Sequence, residues 1–407
     1  MDATIFILPN GLRFVHRRTL SPVAHCGLHI NTGTRDEQLA ENGIVHLIEH
    51  MFFKGTSKRS AYHINNRLEN VGGELNAFTT KEETVLHATV LKSDIEKAIE
   101  LIADMAFRST FPEKELVKEK EVILDEINSY KDNPSELIFD DFDELLFAAS
   151  PLGRPILGTA ESLKNILPDH IKTFTAQHYR TSQMVFSTIG KISPKRIEQL
   201  INKHFGEFEN THADNKLRQL PPDYKIFQVE KERNTFQAHC VMGNRAYSFN
   251  DKKRIGLALL TNYLGGPAAN SRLNTLLREK YGLVYTIEAN YTPYCDCGSA
   301  TIYFGTDKGN LDQCFDLINK ELTLVCTKLF GTAQLYRIKK QLLGQLSISS
   351  DNAESQMLSQ GKSLTVYNSV ETFEQLKAKI DALSAMELQE IANEIFSKDK
   401  LSTLIYK

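Results

Sequence analysis

The sequence predicts an α+β fold of two homologous domains, each a mainly antiparallel sheet with helices packed on one face. Three observations support this. The chain has 407 residues, 41% of them hydrophobic and 24% charged, the balance of a globular protein with cores to bury; at roughly 150 residues per domain, two large units suit that length. The order of strand and helix patterns in the first half recurs in the second. Between them lies a polar stretch, Asn210 to Tyr224, containing Pro221 and Pro222, the composition of a linker. The cut gives domains of residues 1–212 and 213–407.

Residues 4 to 33 alternate apolar and polar around Asn10 and Gly11, with Ile5, Ile7, Leu12 and Phe14 in the apolar register, which predicts a hairpin. A strongly apolar helix follows at about 43 to 54, ending at Gly55, and an amphipathic one at about 60 to 71, ending at Gly72 and Gly73; glycine suits the left-handed turn that closes a helix. Strand patterns return at Leu75 to Thr79 and Thr84 to Leu91. Helical patterns then occupy about 93 to 107, 112 to 131 and 135 to 149, with turns at Pro134, Pro151 and Pro155, because proline ends or opens helices. The second half repeats this order. Strands come at about 225 to 243, an apolar helix at Ile255 to Leu264 before Gly265 and Gly266, and a second helix at about 270 to 280. Strands at Val284 to Tyr291 and Ser299 to Gly305, long helices from Leu311 and a last strand at Ser402 to Tyr406 complete it. The repetition reads as an internal duplication.

Composition removes several functions. Forty-eight basic and 51 acidic residues give a net charge of −3 without a long run of one sign, so nucleic acid is not an expected partner. The first apolar run, Ile5 to Leu8, is short and follows Asp2 instead of a basic cluster, unlike a secretory signal. No stretch of about 18 apolar residues predicts a membrane-spanning helix. Six cysteines, with Cys295 and Cys297 as a lone Cys-x-Cys pair, suit free thiols in a reducing cytoplasm better than a disulfide framework or a zinc site.

The chemistry lies in the first apolar helix, at His46-Leu47-Ile48-Glu49-His50. Two histidines four apart share a helix face, near enough for both imidazoles to hold one ion, and Glu49 stands beside that face. A zinc ion held by two neutral imidazoles and one carboxylate keeps a place open for water, and an adjacent glutamate can take that water's proton. A third ligand is needed, and the helix Glu113 to Tyr130 offers Glu119, Asp125 and Glu126. Glu119 and Glu126 are seven apart, two helical turns, and project from one face. One could bind the ion while the other orients a histidine; spacing leaves both assignments open. The competing view is a pair of core histidines with a salt-bridged glutamate. Glu113, Glu115 and Glu121 read as a solvated face, and His25, His29, His63 and His87 as ordinary strand or helix residues.

With this motif on the page, the chain resembles the insulinase/pitrilysin family of zinc peptidases, the inverzincins. Glu126 lies 76 residues after His50, and the flanking words Phe53 to Thr56, Gly72 to Thr79 and Val122 to Ile127 match too. The resemblance implies His46, His50 and Glu126 as ligands of one Zn2+ per chain, Glu49 as general base and Glu119 as the supporting carboxylate. Downstream, Arg278 and Tyr285 match the family's Arg and Tyr seven apart, expected to hold the substrate backbone and the developing oxyanion. The helix Ile255 to Leu264 contains no His or Glu, so each chain is expected to have only one metal site. That pattern resembles the short, single-pair branch, similar to mitochondrial processing peptidase and its bacterial relatives. It implies a homodimer with composite active sites and peptide substrates, the strand Asn76, Ala77, Phe78 and Thr79 receiving the peptide as an added strand. The expected function is zinc-dependent endopeptidase; the alternatives are a non-catalytic helper or core subunit and a peptide-binding protein.

Overall fold

The computed structural model describes residues 3–209 and 218–407, and the boundary expected between residues 212 and 213 lies outside them. The strands, in chain order, are β1 (Thr4–Ile7), β2 (Arg13–Arg18), β3 (Val23–Ile30), β4 (Glu74–Thr79), β5 (Thr84–Leu91), β6 (Met184–Gly190), β7 (Gln228–Lys231), β8 (Gln237–Ala246), β9 (Val284–Pro293), β10 (Gly298–Asp307) and β11 (Ser402–Tyr406). The helices begin with α1 (Ile44–Met51), α2 (Ala61–Glu69), α3 (Ile95–Arg108), α4 (Glu113–Lys131), α5 (Pro134–Leu146), α6 (Ala160–Asn165), α7 (Pro168–His178) and α8 (Pro194–Phe205). They continue with α9 (Arg254–Gly265), α10 (Leu311–Thr327), α11 (Thr332–Ser349), α12 (Ala353–Tyr367), α13 (Phe373–Ala382) and α14 (Ala385–Ile395). The expected second helix of the second half is wound as a π-helix over Asn274–Lys280.

These elements form two compact units, and the units are not simple halves of the chain. The first comprises Met1–Asn128, Arg154–Arg218 and Ile348–Thr372; the second comprises Ser129–Gly153, Gln219–Ser347 and Phe373–Lys407.

In the first unit the sheet order is β1-β2-β6-β3-β5-β4. Pairing is antiparallel except between β2 and β6. One face carries the main core, where Phe14, Cys26, Leu28, Leu86 and Phe186 meet Val45, Ile48, Ile99, Ile102 and Ile201 from α1, α3 and α8. The other face is also covered: α12 lies on β2, β3 and β6, with Leu364 against Val15 and Val185. All seven residues of β6 are buried as a result, which is why its sequence does not alternate. Much of this second contact is polar. Ser187 Oγ donates to the Met357 carbonyl at 2.6 Å, and Gln360 Nε2 donates to Ser187 Oγ and to the Thr188 carbonyl, both at 3.0 Å. His87 Nδ1 lies 3.1 Å from Glu354 Oε1. His29 faces Glu83 at 3.6 Å, and Lys362 reaches Glu83 at 3.0 Å. A Cβ on Gly361 would stand 2.1 Å from His29 Nε2, so the helix has to present glycine there.

The second unit repeats the plan in the order β7-β11-β8-β10-β9, with β11 parallel to β7 and the other pairs antiparallel. Its main core gathers Cys240, Met242, Ile302 and Phe304 with Leu257, Leu260, Ile318 and Ile391 from α9, α10 and α14. On the other face Ile138, Phe142 and Leu146 of α5 pack on Val241, Leu404 and Tyr406. A Cβ on Gly243 of β8 would meet Phe142 at 3.0 Å, just as one on Gly27 of β3 would meet Met357 at 3.2 Å. Each sheet thus receives its second-face helix over a strand glycine.

The α12 contact has a pH signature. Burial pushes the Glu83 carboxyl up, but His29 and Lys362 outweigh it and hold it at about 2. A depressed folded-state value stabilises the fold above the ordinary 4.5 and loses that effect as pH falls toward the folded value. Glu83→Gln should therefore cost about 3 kcal/mol at neutral pH. Its deficit against the parent, measured by urea unfolding, should shrink progressively below pH 4.5; a deficit independent of pH would contradict the assignment.

Candidate metal centre

Helix α1 is eight residues long and starts at Gly43, whose φ is +92°. A side chain there would be strained by that angle and would meet the Leu157 carbonyl at 2.8 Å. Ile44, Val45, Leu47, Ile48 and Met51 are buried, which turns His46, Glu49 and His50 onto the remaining face. Opposite that face runs α4, where Leu116, Glu119 and Ile123 are buried and Glu126 continues the same stripe half-buried. Asp125 points outward, as do Glu113 and Glu121.

The two helices bring the expected side chains together. His46 Nε2 lies 3.9 Å from Glu126 Oε2, and His50 Nε2 lies 3.7 Å from Glu126 Oε1. The two imidazole rings are 4.7 Å apart at an angle of 63°. One ligand atom from each of His46, His50 and Glu126 falls within 4.8 Å of the others. Ligands at about 2.1 Å from a tetrahedral ion are separated by about 3.4 Å, so these atoms need little movement to share one. The separations exceed those of hydrogen bonds, which leaves room for an ion between them.

Of the two carboxylates that spacing left open, Glu119 lies against His50 Nδ1. Its Oε2 accepts from His50 Nδ1 at 3.1 Å, and its Oε1 accepts from Lys54 Nζ at 2.7 Å. A carboxylate accepting at Nδ1 puts the ring proton there and leaves the Nε2 lone pair facing Glu126. Lys54 was not singled out from the sequence, although it stands four residues after His50, the spacing of neighbours on a helix face.

Burial, then His50 beside it, lowers the His46 imidazole to about 4. Burial raises the Glu49 carboxyl, with the Thr79 hydroxyl and His50 pulling the other way. Glu49 Oε2 is buried without a hydrogen-bond partner, the kind of orphaned polar atom that a water on a bound ion would satisfy. A neutral imidazole is the form that binds metal. The donor set, two imidazole nitrogens and a carboxylate, suits zinc.

β4 carries Asn76, Ala77, Phe78 and Thr79 at the edge of the first sheet, paired with β5 through Asn76–His87, Ala77–Leu86, Phe78–Val85 and Thr79–Thr84. Its other side is the open edge among the described residues. Arg278 and Tyr285 belong to the second unit. Arg278 is exposed within the π-helix, where the Tyr281 N–H reaches the Leu276 carbonyl at 3.3 Å, and Tyr285 is exposed on β9. The other histidines are held in ordinary ways, His25 by Thr89 and His63 by Ser60. No helix among the described residues is long and apolar enough to cross a membrane.

In the metal-free protein, NMR titration of the His46 ring should give a midpoint near 4. A midpoint of about 6 or above would mean that the ring meets water and that the site is more open than its burial indicates.

Two family models match the chain: Insulinase (Peptidase family M16) over residues 13–160, and Peptidase M16 inactive domain over residues 165–342. The chain is 33% identical over 398 residues to YmxG, an uncharacterized zinc protease of Bacillus subtilis, covering 97% of this chain and 96% of the relative. It is 28% identical over 401 residues to mitochondrial-processing peptidase subunit beta of Bos taurus, covering 96% and 81%. The crystal structure of a protease from Helicobacter pylori matches with a TM-score of 0.91 at 20% identity, over 100% of this chain and 99% of that one, a likeness of fold.

Proposed function

Because the chain belongs to the insulinase family, peptidase family M16, we propose that it is a zinc-dependent endopeptidase acting on unfolded peptides. The observation that carries this reading is the convergence of His46, His50 and Glu126 within 4.8 Å of one another, beside the partly buried Glu49. His46 and His50 through Nε2 and Glu126 through its carboxylate would hold the ion. When bound, zinc supplies a Lewis acid for the attacking water and the scissile carbonyl.

The chain's own groups do the rest. Glu49, its carboxyl raised by burial, takes the proton from the attacking water and passes it to the leaving amine, work suited to a carboxyl poised nearer neutrality. Glu119 keeps His50 in the tautomer whose Nε2 is free, and Lys54 holds Glu119 in place. Asn76 to Thr79 on the open edge of β4 bind an extended peptide through its backbone, a mode that makes light demands on sequence. Arg278 and Tyr285 donate toward the substrate backbone and the oxyanion. We assign them to the site of a second copy in a homodimer, on the resemblance of the Arg/Tyr spacing.

Glu49→Gln should retain the metal and lose peptide hydrolysis by at least about a hundredfold, read as metal content together with cleavage of an unstructured peptide. Equal activity would remove Glu49 as the base. A parent protein with metal but no turnover would favour the non-catalytic or peptide-binding alternative.

The composite assembly has its own test. Glu49→Gln and Tyr285→Phe chains, each inactive alone, should regain activity when mixed, because exchanged dimers hold one complete site. Verified subunit exchange without recovery would place both motifs in one chain's own site or remove Tyr285 from it.

A further inference from the structure

Helix α1 has no capping side chain of its own: its N-cap is Gly43, and no side-chain cap bond is made there. The first N–H groups of any helix lack partners within it, and in an eight-residue helix they are a large fraction of the whole. Glu37, six residues earlier in the chain and 3% exposed, supplies what is missing. Its Oε1 accepts from the Val45 N–H at 3.0 Å, and its Oε2 accepts from the Gly43 N–H at 2.9 Å and from Asn42 Nδ2 at 3.0 Å. A carboxylate at this end also opposes the positive pole of the helix.

Glu37 is itself tied down. Arg154 Nη1 donates to its carbonyl at 2.9 Å, and Asn42 Nδ2 donates to the Pro155 carbonyl at 3.1 Å. Ser162 Oγ donates to the Asn42 carbonyl at 2.7 Å. Gly43 has the Leu157 carbonyl and Gly158 against its open side. The residue after Val45 is His46, and His50 follows one turn later. The peptide gripped by Glu37 therefore sets where both imidazoles begin.

We propose that Glu37 is a positioning residue of the metal centre: it fixes the start, and so the axial setting, of the helix that presents both imidazoles, and its loss weakens metal binding while the fold survives. This rests on the reading that His46, His50 and Glu126 hold a divalent ion. Burial pushes the Glu37 carboxyl up to about 8 even against the lowering effect of the donors from Asn42, Val45 and Gly43, so the proposal rests on the three hydrogen bonds and not on a fixed charge.

The test uses full-length Glu37→Gln and Glu37→Asp. Glutamine turns an amide N–H toward the Val45 or Gly43 N–H, and aspartate keeps two acceptor oxygens but withdraws them by one methylene. Zinc affinity is read by competition with a chromophoric chelator, alongside thermal unfolding of the metal-free protein and separate kcat and KM on an unstructured peptide. Glu37→Gln should bind zinc about 10–100-fold more weakly, with kcat reduced and KM little changed because Glu37 is assigned no contact with substrate. Glu37→Asp should recover part of both losses. A folded Glu37→Gln that binds zinc within about twofold of the parent overturns the proposal, as does failure of both variants to fold, since the role would then be structural. A parent protein that takes up no divalent ion overturns the functional reading instead.

Discussion

Two imidazoles and two carboxylates withdrawn from water around one short helix have to find compensation locally, because an unpaired buried charge costs several kcal/mol. α1 cannot release them, since Ile44, Val45, Leu47, Ile48 and Met51 commit its other side to the core. Lys54 and Glu119 satisfy one edge of His50. The Nε2 atoms, Glu126 and Glu49 remain, with Oε2 of Glu49 buried and unpartnered. If ionised, Glu49, Glu119 and Glu126 against Lys54 leave a local surplus of two negative charges, the complement of a divalent ion.

That constraint also explains what could be read in the sequence. Histidines four apart in an apolar helix, and glutamates seven apart in an amphipathic one, are periodicities; the protein folds both helices with those residues on facing sides. The hairpin around Gly11 and the strands β4, β5 and β9 were legible for the same reason, since a half-buried strand alternates. β6 was not, because α12 covers its second face and all seven of its residues are buried. Nor did periodicity reveal that α5 and α12 would pack on the second faces, since a helix stripe says that a face is covered and not by what. The π winding of Asn274–Lys280 leaves no mark in a 3.6-residue pattern. Glu37 acts across a loop, where no spacing rule applies.

The duplicated plan puts unequal demands on its two copies. In the first, α1 presents polar groups beside the open edge of β4; in the second, α9 has no His or Glu at all and buries Leu257, Leu259, Leu260 and Leu264. The same scaffold, a sheet with its main core on one face and a helix laid over a strand glycine on the other, serves both. Fold likeness alone would therefore not distinguish a metal-binding copy from an apolar one; the side chains on one helix do.

The crossing of segments between the units bears on how the chain is made. The first unit needs α12, from near residue 360, and the second needs α5, from near residue 140. During synthesis on the ribosome, the first sheet emerges long before the helix that covers its second face. Its polar surface of His25, His29 and His87 must stay hydrated until almost the whole chain has been translated, and a polypeptide split in the middle would leave each fragment without one of its layers.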